Sequence, residues 1–270
     1  MVIDGLRWEV RSRGTGAPLL LLHGFTGRGA SWSAHADRWV RAGRRVIVVD
    51  LPGHGRTRTA DAARASIERT ADDLAAILGH ELAGPADVLG YSLGARVALR
   101  LAAGHPAIVG RLVLESPSAG IADAAARAAR RAADEALATR IERDGIEAFV
   151  TEWERNPVFA SHAAMAPARL ARQRGIRMGN RPDGLAASLR GGGQGAMEPL
   201  HDQLAGITTP TLVLTGGDDA IGRPRAAQVA AAIPGARLAI VEGAGHTPHD
   251  EQPRTFHRLV DDFLQEDRAA

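Results

Sequence analysis

The segment Gly90-Tyr91-Ser92-Leu93-Gly94 fits the pattern G-x-S-x-G, which sets a serine hydroxyl on a tight turn between a strand and a helix. A serine hydroxyl is a poor base or nucleophile until a histidine takes its proton, and that histidine needs an acid to hold its tautomer. Both occur downstream, each just after an apolar run. Val241-Glu242-Gly243-Ala244-Gly245-His246 supplies His246 as the base, with His249 as the alternative three residues on. Thr215-Gly216-Gly217-Asp218-Asp219 supplies the acid. Two adjacent aspartates cannot both point at one imidazole, so Asp219 is preferred, Asp218 is second and Glu115 is a distant third. Backbone donors for a developing oxyanion are expected from Leu93, the residue after the serine, and from Phe25 in the loop His23-Gly24-Phe25. His23 and His54 sit beside loops rich in glycine and read as scaffold.

Arg96 adds a second kind of chemistry. It lies four residues after Ser92, so on a helix the two share one face, and its neighbours Leu93, Ala95, Val97, Ala98 and Leu99 predict burial. A guanidinium does not give up its charge, so a buried one needs an anionic or carbonyl partner. Asp134 or Glu135 would be a bland partner, and a substrate carboxylate a functional one.

Positioning such groups takes a rigid frame. Continuous apolar runs at Pro18 to Leu22, Arg45 to Val49, Ala86 to Gly90, Arg111 to Leu114, Thr211 to Thr215 and Arg237 to Val241 predict strands buried on both faces of a parallel sheet. Helical patterns lie between or after them at Ser66 to Leu78, Leu93 to Ala103, Arg225 to Ala232 and Arg254 to Leu264. The alternation predicts an α/β fold, a mostly parallel central sheet flanked by helices. It stops between about 120 and 204, where an alanine-rich helical stretch and then Pro157, Pro167, Pro182 and Gly191 to Gly193 suggest an inserted helical cap. The core would then comprise 1–119 and 205–270.

The chain has 270 residues, enough for one large domain, and 45% hydrophobic residues, too many for a disordered chain. Its charge is only +2, yet its pI is about 10.1 because every basic residue among the 33 is arginine. Those arginines are interspersed with acids, so the composition gives little support to nucleic-acid binding. Cysteine is absent, which excludes disulfides and thiolate metal sites and agrees with a reducing compartment; cytoplasm is the default expectation. Neither a signal peptide nor a membrane-spanning run is visible.

GYSLGARVAL, LHGFTG, DLPGHG, LESPSAGI, FVTEWERNPVFAS and GAGH together resemble the SHCHC synthases of menaquinone (vitamin K2) biosynthesis, a family with the α/β-hydrolase fold. The similarity spans nearly the whole chain. Tyr91-Ser92 followed by Arg96, and the WERNPVFAS stretch, are the specific parts, because the other motifs are common to many α/β-hydrolases. The resemblance implies a lyase that eliminates pyruvate from a tricarboxylate without metal or organic cofactor. It implies proton abstraction by Ser92, activated by His246 and Asp219, with the N–H groups of Phe25 and Leu93 holding the developing charge. It further implies Arg96, Arg130 and Arg177 as carboxylate contacts, with Arg172 or Arg174 as alternatives to the last, and Tyr91 and Trp153 as pocket lining. The chain departs from the family pattern at Ala95, at Ala220-Ile221 and in GGGQGAMEPL. The alternatives are an ester or carbon–carbon hydrolase on the same fold and a non-catalytic ligand receptor.

Overall fold

The computed structural model describes residues 1–266. A small antiparallel hairpin, β1 (Val2–Ile3) with β2 (Leu6–Arg7), precedes a sheet built from β3 (Val10–Arg13), β4 (Pro18–Leu22), β5 (Arg45–Val49), β6 (Ala86–Tyr91), β7 (Val109–Glu115), β8 (Thr211–Gly216) and β9 (Arg237–Val241). Its order is β3-β5-β4-β6-β7-β8-β9, and every pairing is parallel except that of β3 with β5. Leu19 to Leu22 and Leu112 to Leu114 are completely buried, as expected of central strands covered on both faces. The edge strand β3, in which three polar residues follow Val10, has no periodicity to reveal it.

The sheet is covered on its two faces by α1 (Ser33–Arg41), α2 (Ile67–Glu81), α3 (Leu93–Gly104), α7 (Gly222–Ala232) and α9 (Pro253–Gln265), with the short α8 (Pro248–Glu251) ahead of α9. Two apolar clusters result, one containing Leu20, Leu22, Leu74, Val88 and Leu99, the other Leu19, Leu21, Trp39, Leu214 and Phe256. The side-chain oxygen of Ser66 accepts a bond from the N–H of Arg69 and starts α2, as a capping serine should.

Between β7 and β8, no strand occurs among the described residues. The alanine-rich stretch forms α4 (Ala124–Trp153), which is interrupted at Gly145, where φ is 81° and ψ 175°. Then come α5 (Pro167–Met178) and α6 (Pro182–Gly192). Ala138, Ile141, Phe149, Val150, Leu185, Ala186 and Leu189 give α4 and α6 an apolar core of their own, joined to the rest through half-buried Phe25. Among the described residues, no helix is long and apolar enough to cross a membrane.

Candidate active site

Ser92 sits at the end of β6 with φ 50° and ψ −104°, a conformation that costs free energy and is held only because its surroundings over-determine it. The two glycines of the pentapeptide explain how. A Cβ on Gly90 would lie 2.3 Å from the carbonyl oxygen of Gly94, and a Cβ on Gly94 would lie 2.3 Å from the carbonyl oxygen of Leu22. Strand, helix and the neighbouring strand β4 therefore approach too closely for any side chain at either position. The turn projects the hydroxyl at the first turn of α3, whose leading N–H, that of Leu93, has no carbonyl within its own helix to serve.

The Oγ of Ser92 lies 3.2 Å from Nε2 of His246, and Nδ1 of His246 lies 2.7 Å from Oδ2 of Asp219. Burial pushes the Asp219 carboxyl up, but the bond and charge of His246 and the backbone N–H of Gly222 outweigh it and hold the group below the usual aspartate range. An ionised Asp219 fixes the proton on Nδ1 and leaves Nε2 to accept from the serine. The N–H of Asp218 donates to the carbonyl of Ala244 at 2.9 Å and ties the acid loop to the histidine loop, and Ser116 Oγ, just after β7, donates to the carbonyl of His246 at 3.0 Å. Asp218 itself is exposed.

The alternative residues have other occupations. Glu115 accepts from both the backbone N–H and Nδ1 of His249, each at 2.8 Å. That pair is buried beneath Tyr91, whose ring is 4.8 Å from the His249 ring. His23 accepts from the N–H of Leu51 at Nε2 (2.9 Å), so its Nδ1 donates to the carbonyl of Gly24 (2.8 Å). His54 donates from Nδ1 to the carbonyl of Pro52 at 3.1 Å. Both serve the loops that end β4 and β5.

The serine and the histidine open on a cavity of about 520 Å³, within the range of small-molecule sites. Phe25, Tyr91, Leu93, Arg96, Arg130 and Trp153 line it with them. Arg96 is 7% exposed and donates to the carbonyl of Gly192 at 2.6 Å and to Sδ of Met197 at 3.6 Å. Neither proposed acid bonds to it: Asp134 pairs with Arg130 at 2.8 Å and acts on Arg96 only through its charge, and Glu135 pairs with Arg190 at 2.9 Å. Burial, and next the charge of Arg130, push the Arg96 guanidinium down to about 10, so it remains cationic at neutral pH. The indole N–H of Trp153 and Oε1 of Gln194 are buried in the cavity wall without partners.

Arg177 is not brought to this cavity. Its guanidinium bonds to Glu154 at 3.1 Å and to Gln173 at 3.4 Å, lies 5.1 Å over the Phe159 ring, and lines an adjoining cavity that shares Phe25, Tyr91 and Phe159 with this one. Arg172 and Arg174 are no closer substitutes: Arg172 bonds to the carbonyl of Ala30, and Arg174 to Glu154. Conversely, Arg225 and Gln194 line the cavity although sequence reasoning passed over them. Arg225 is four residues after Ile221, one helical turn beyond the acid loop, and that spacing is the signal that was available.

A strained serine on a strand-to-helix elbow, a histidine and an acid on the two following loops, and a parallel sheet beneath them define the α/β-hydrolase class. A family model described as alpha/beta hydrolase family matches residues 19–259. A Bacillus subtilis protein named for 2-succinyl-6-hydroxy-2,4-cyclohexadiene-1-carboxylate synthase is 37% identical over 97% of this chain and 96% of its own length. The Klebsiella pneumoniae enzyme of that name is 34% identical over 87% of this chain and 88% of its own. Among solved structures, MenH from S. aureus superposes with a TM-score of 0.90 at 30% identity, covering 96% of this chain and 97% of that one. A Thermogutta terrifontis esterase, solved with malate bound, reaches a TM-score of 0.85 at 28% identity, covering 98% and 95%. The chain belongs to the alpha/beta hydrolase family and, within it, to the 2-succinyl-6-hydroxy-2,4-cyclohexadiene-1-carboxylate synthases.

Proposed function

We propose that the protein is a pyruvate-eliminating lyase that converts 2-succinyl-5-enolpyruvyl-6-hydroxy-3-cyclohexene-1-carboxylate into 2-succinyl-6-hydroxy-2,4-cyclohexadiene-1-carboxylate. The observation that carries this reading is the shared cavity: a hydroxyl paired with a histidine opens on the same space as a buried guanidinium that forms no ion pair with a carboxylate. A hydrolase of neutral esters has no use for that cation, whereas a substrate with three carboxylates does.

In this reading Ser92 gives its proton to Nε2 of His246 and takes the proton from C2 of the ring, the carbon that bears the succinyl carbonyl. The C2–H electron pair forms the C2=C3 double bond, the C3=C4 pair moves to C4=C5, and the C5–O bond breaks with departure of enolpyruvate. The imidazolium proton goes to the leaving group, which tautomerises to pyruvate, and Ser92 and His246 return to their starting states. The charge that develops on the succinyl oxygen is stabilised by the N–H groups of Phe25 and Leu93. Asp219 holds the imidazole in the useful tautomer. Arg96 and Arg130 bind carboxylate, and Tyr91 and Trp153 shape the pocket around the ring. Residues 120–204 serve as a helical cap over the core formed by 1–119 and 205–270, and the absence of cysteine supports a cytoplasmic location.

The test is a coupled assay of pyruvate release from the purified enolpyruvyl substrate. Wild type should release pyruvate far faster than buffer, and Ser92→Ala should lower the rate by several orders of magnitude. Pyruvate at the buffer rate together with good turnover of simple aryl esters would replace the lyase with a hydrolase.

A further inference from the structure

The charges around the cavity do not balance, and this points to a ligand contact beyond Arg96 and Arg130. Arg96, Arg130, Arg140 and Arg225 line it, against the carboxylates Asp134 and Asp219. Both carboxylates are paired, Asp134 with Arg130 through Oδ1, its Oδ2 being buried without a partner, and Asp219 with His246. Arg140 has Glu152 at 3.3 Å. Arg96 has a carbonyl and a thioether. Arg225 makes no hydrogen bond or ion pair among the described residues, although it is half-buried on α7 within the cavity wall. A long cationic side chain without a protein partner normally extends into water; this one faces the same space as the serine.

We propose that Arg225 is a third carboxylate-binding residue, one that together with Arg130 closes on a carboxylate of the substrate on the α7 side of the cavity. The inference rests on the lyase reading above and adds a residue to it. Burial and then the charge of Arg130 push the Arg225 guanidinium down, only partly relieved by Asp219, so the two arginines repel each other across space that an anion would fill. A dianionic or trianionic ligand answers that repulsion, whereas a neutral ester leaves it in place. Arg225 therefore adds specificity for substrates with more than one carboxylate and has no part in moving the proton.

The experiment compares Arg225→Gln, Arg225→Lys and the exposed neighbour Arg223→Gln with wild type, by steady-state pyruvate release at several salt concentrations and by thermal unfolding. Loss of one charge-assisted contact should raise KM roughly ten- to hundredfold in Arg225→Gln with kcat little changed. KM should also become less sensitive to salt. Arg225→Lys should recover part of the loss and Arg223→Gln should match wild type; none of the three should unfold below the wild-type temperature, because no internal bond is removed, and Arg225→Gln, which relieves a half-buried charge, should unfold at that temperature or slightly above it. An Arg225→Gln enzyme with wild-type KM and salt dependence overturns the proposal while leaving the lyase reading intact. A fall in Tm that accompanies the KM change, with no recovery in Arg225→Lys, assigns Arg225 to structure and also overturns it. A wild-type protein that releases no pyruvate fails the lyase reading itself, and this inference with it.

Discussion

Arg96→Met separates binding from folding, because its effects on the two have opposite signs. Lowering a guanidinium from 12.5 to about 10 by burial and the nearby Arg130 corresponds to about 3 kcal/mol by which the folded state disfavours the charge at neutral pH. Methionine removes that cost and fills much of the same volume, but it leaves the carbonyl of Gly192 without its 2.6 Å donor, at about 1–3 kcal/mol. The balance lies between zero and about 2 kcal/mol in favour of the variant, so its Tm should equal that of wild type or rise by a few degrees. Ligand recognition should move the other way. Removing the cation from a buried carboxylate contact costs about 2–4 kcal/mol, or roughly 30- to 1000-fold in kcat/KM. Thermal unfolding and pyruvate-release kinetics on the same preparation measure both. A variant that unfolds 5 °C lower yet keeps wild-type kcat/KM would show that Arg96 braces the protein and does not grip the substrate, refuting the reasoning.

Three further outcomes follow from the geometry. Gly90→Ala drives a Cβ to 2.3 Å from a backbone oxygen of α3, so it should cost about 1–3 kcal/mol or more in chemical denaturation and should abolish pyruvate release by displacing Ser92. Asp219→Asn keeps the size of the side chain but no longer holds the proton on Nδ1 of His246, so kcat should fall by about 10⁴ with little change in KM. Burial first, with the neighbouring histidine adding at His54, lowers His23 to about 4 and His54 to about 3, whereas both titrate near 6.5 in the unfolded chain. Below 6.5 the unfolded state binds more protons than the folded state, so stability is present at neutral pH and is lost as pH falls toward those folded values. Each should cost roughly 2 kcal/mol between pH 7 and pH 5, visible as a falling denaturation midpoint; a midpoint constant over that range would contradict the neutral assignment of both rings.

The central strands, the elbow and the residues that face one another around it were legible because each rests on a local rule. Leu19 to Leu22 and Leu112 to Leu114 read as continuous apolar runs because both faces of the sheet are covered, and Gly90 and Gly94 stand where backbones nearly touch. The hairpin β1-β2 and edge strand β3 escaped notice because two-residue strands and a half-exposed edge leave no period to detect. α1 was passed over although Trp32, Ala36, Trp39 and Val40 carry its spacing. Arg177 illustrates a limit of a different kind. Its place in the order of motifs suggested the pocket, but Glu154 and Gln173 hold its guanidinium on the far side of Phe25, Tyr91 and Phe159, in an adjoining cavity, and only the folded structure reveals such competition. Arg225 is the converse, a residue on an ordinary surface-like helix that tertiary packing turns toward the serine.

Proton removal by Ser92 is tested most directly by a single-turnover measurement of pyruvate release from substrate carrying deuterium at C2, beside unlabelled substrate. If the hydroxyl abstracts that proton, release slows several-fold on deuteration and Ser92 stays unmodified by intact-protein mass spectrometry. Equal rates with both substrates, together with a covalent adduct on Ser92, would contradict base catalysis and make the serine a nucleophile.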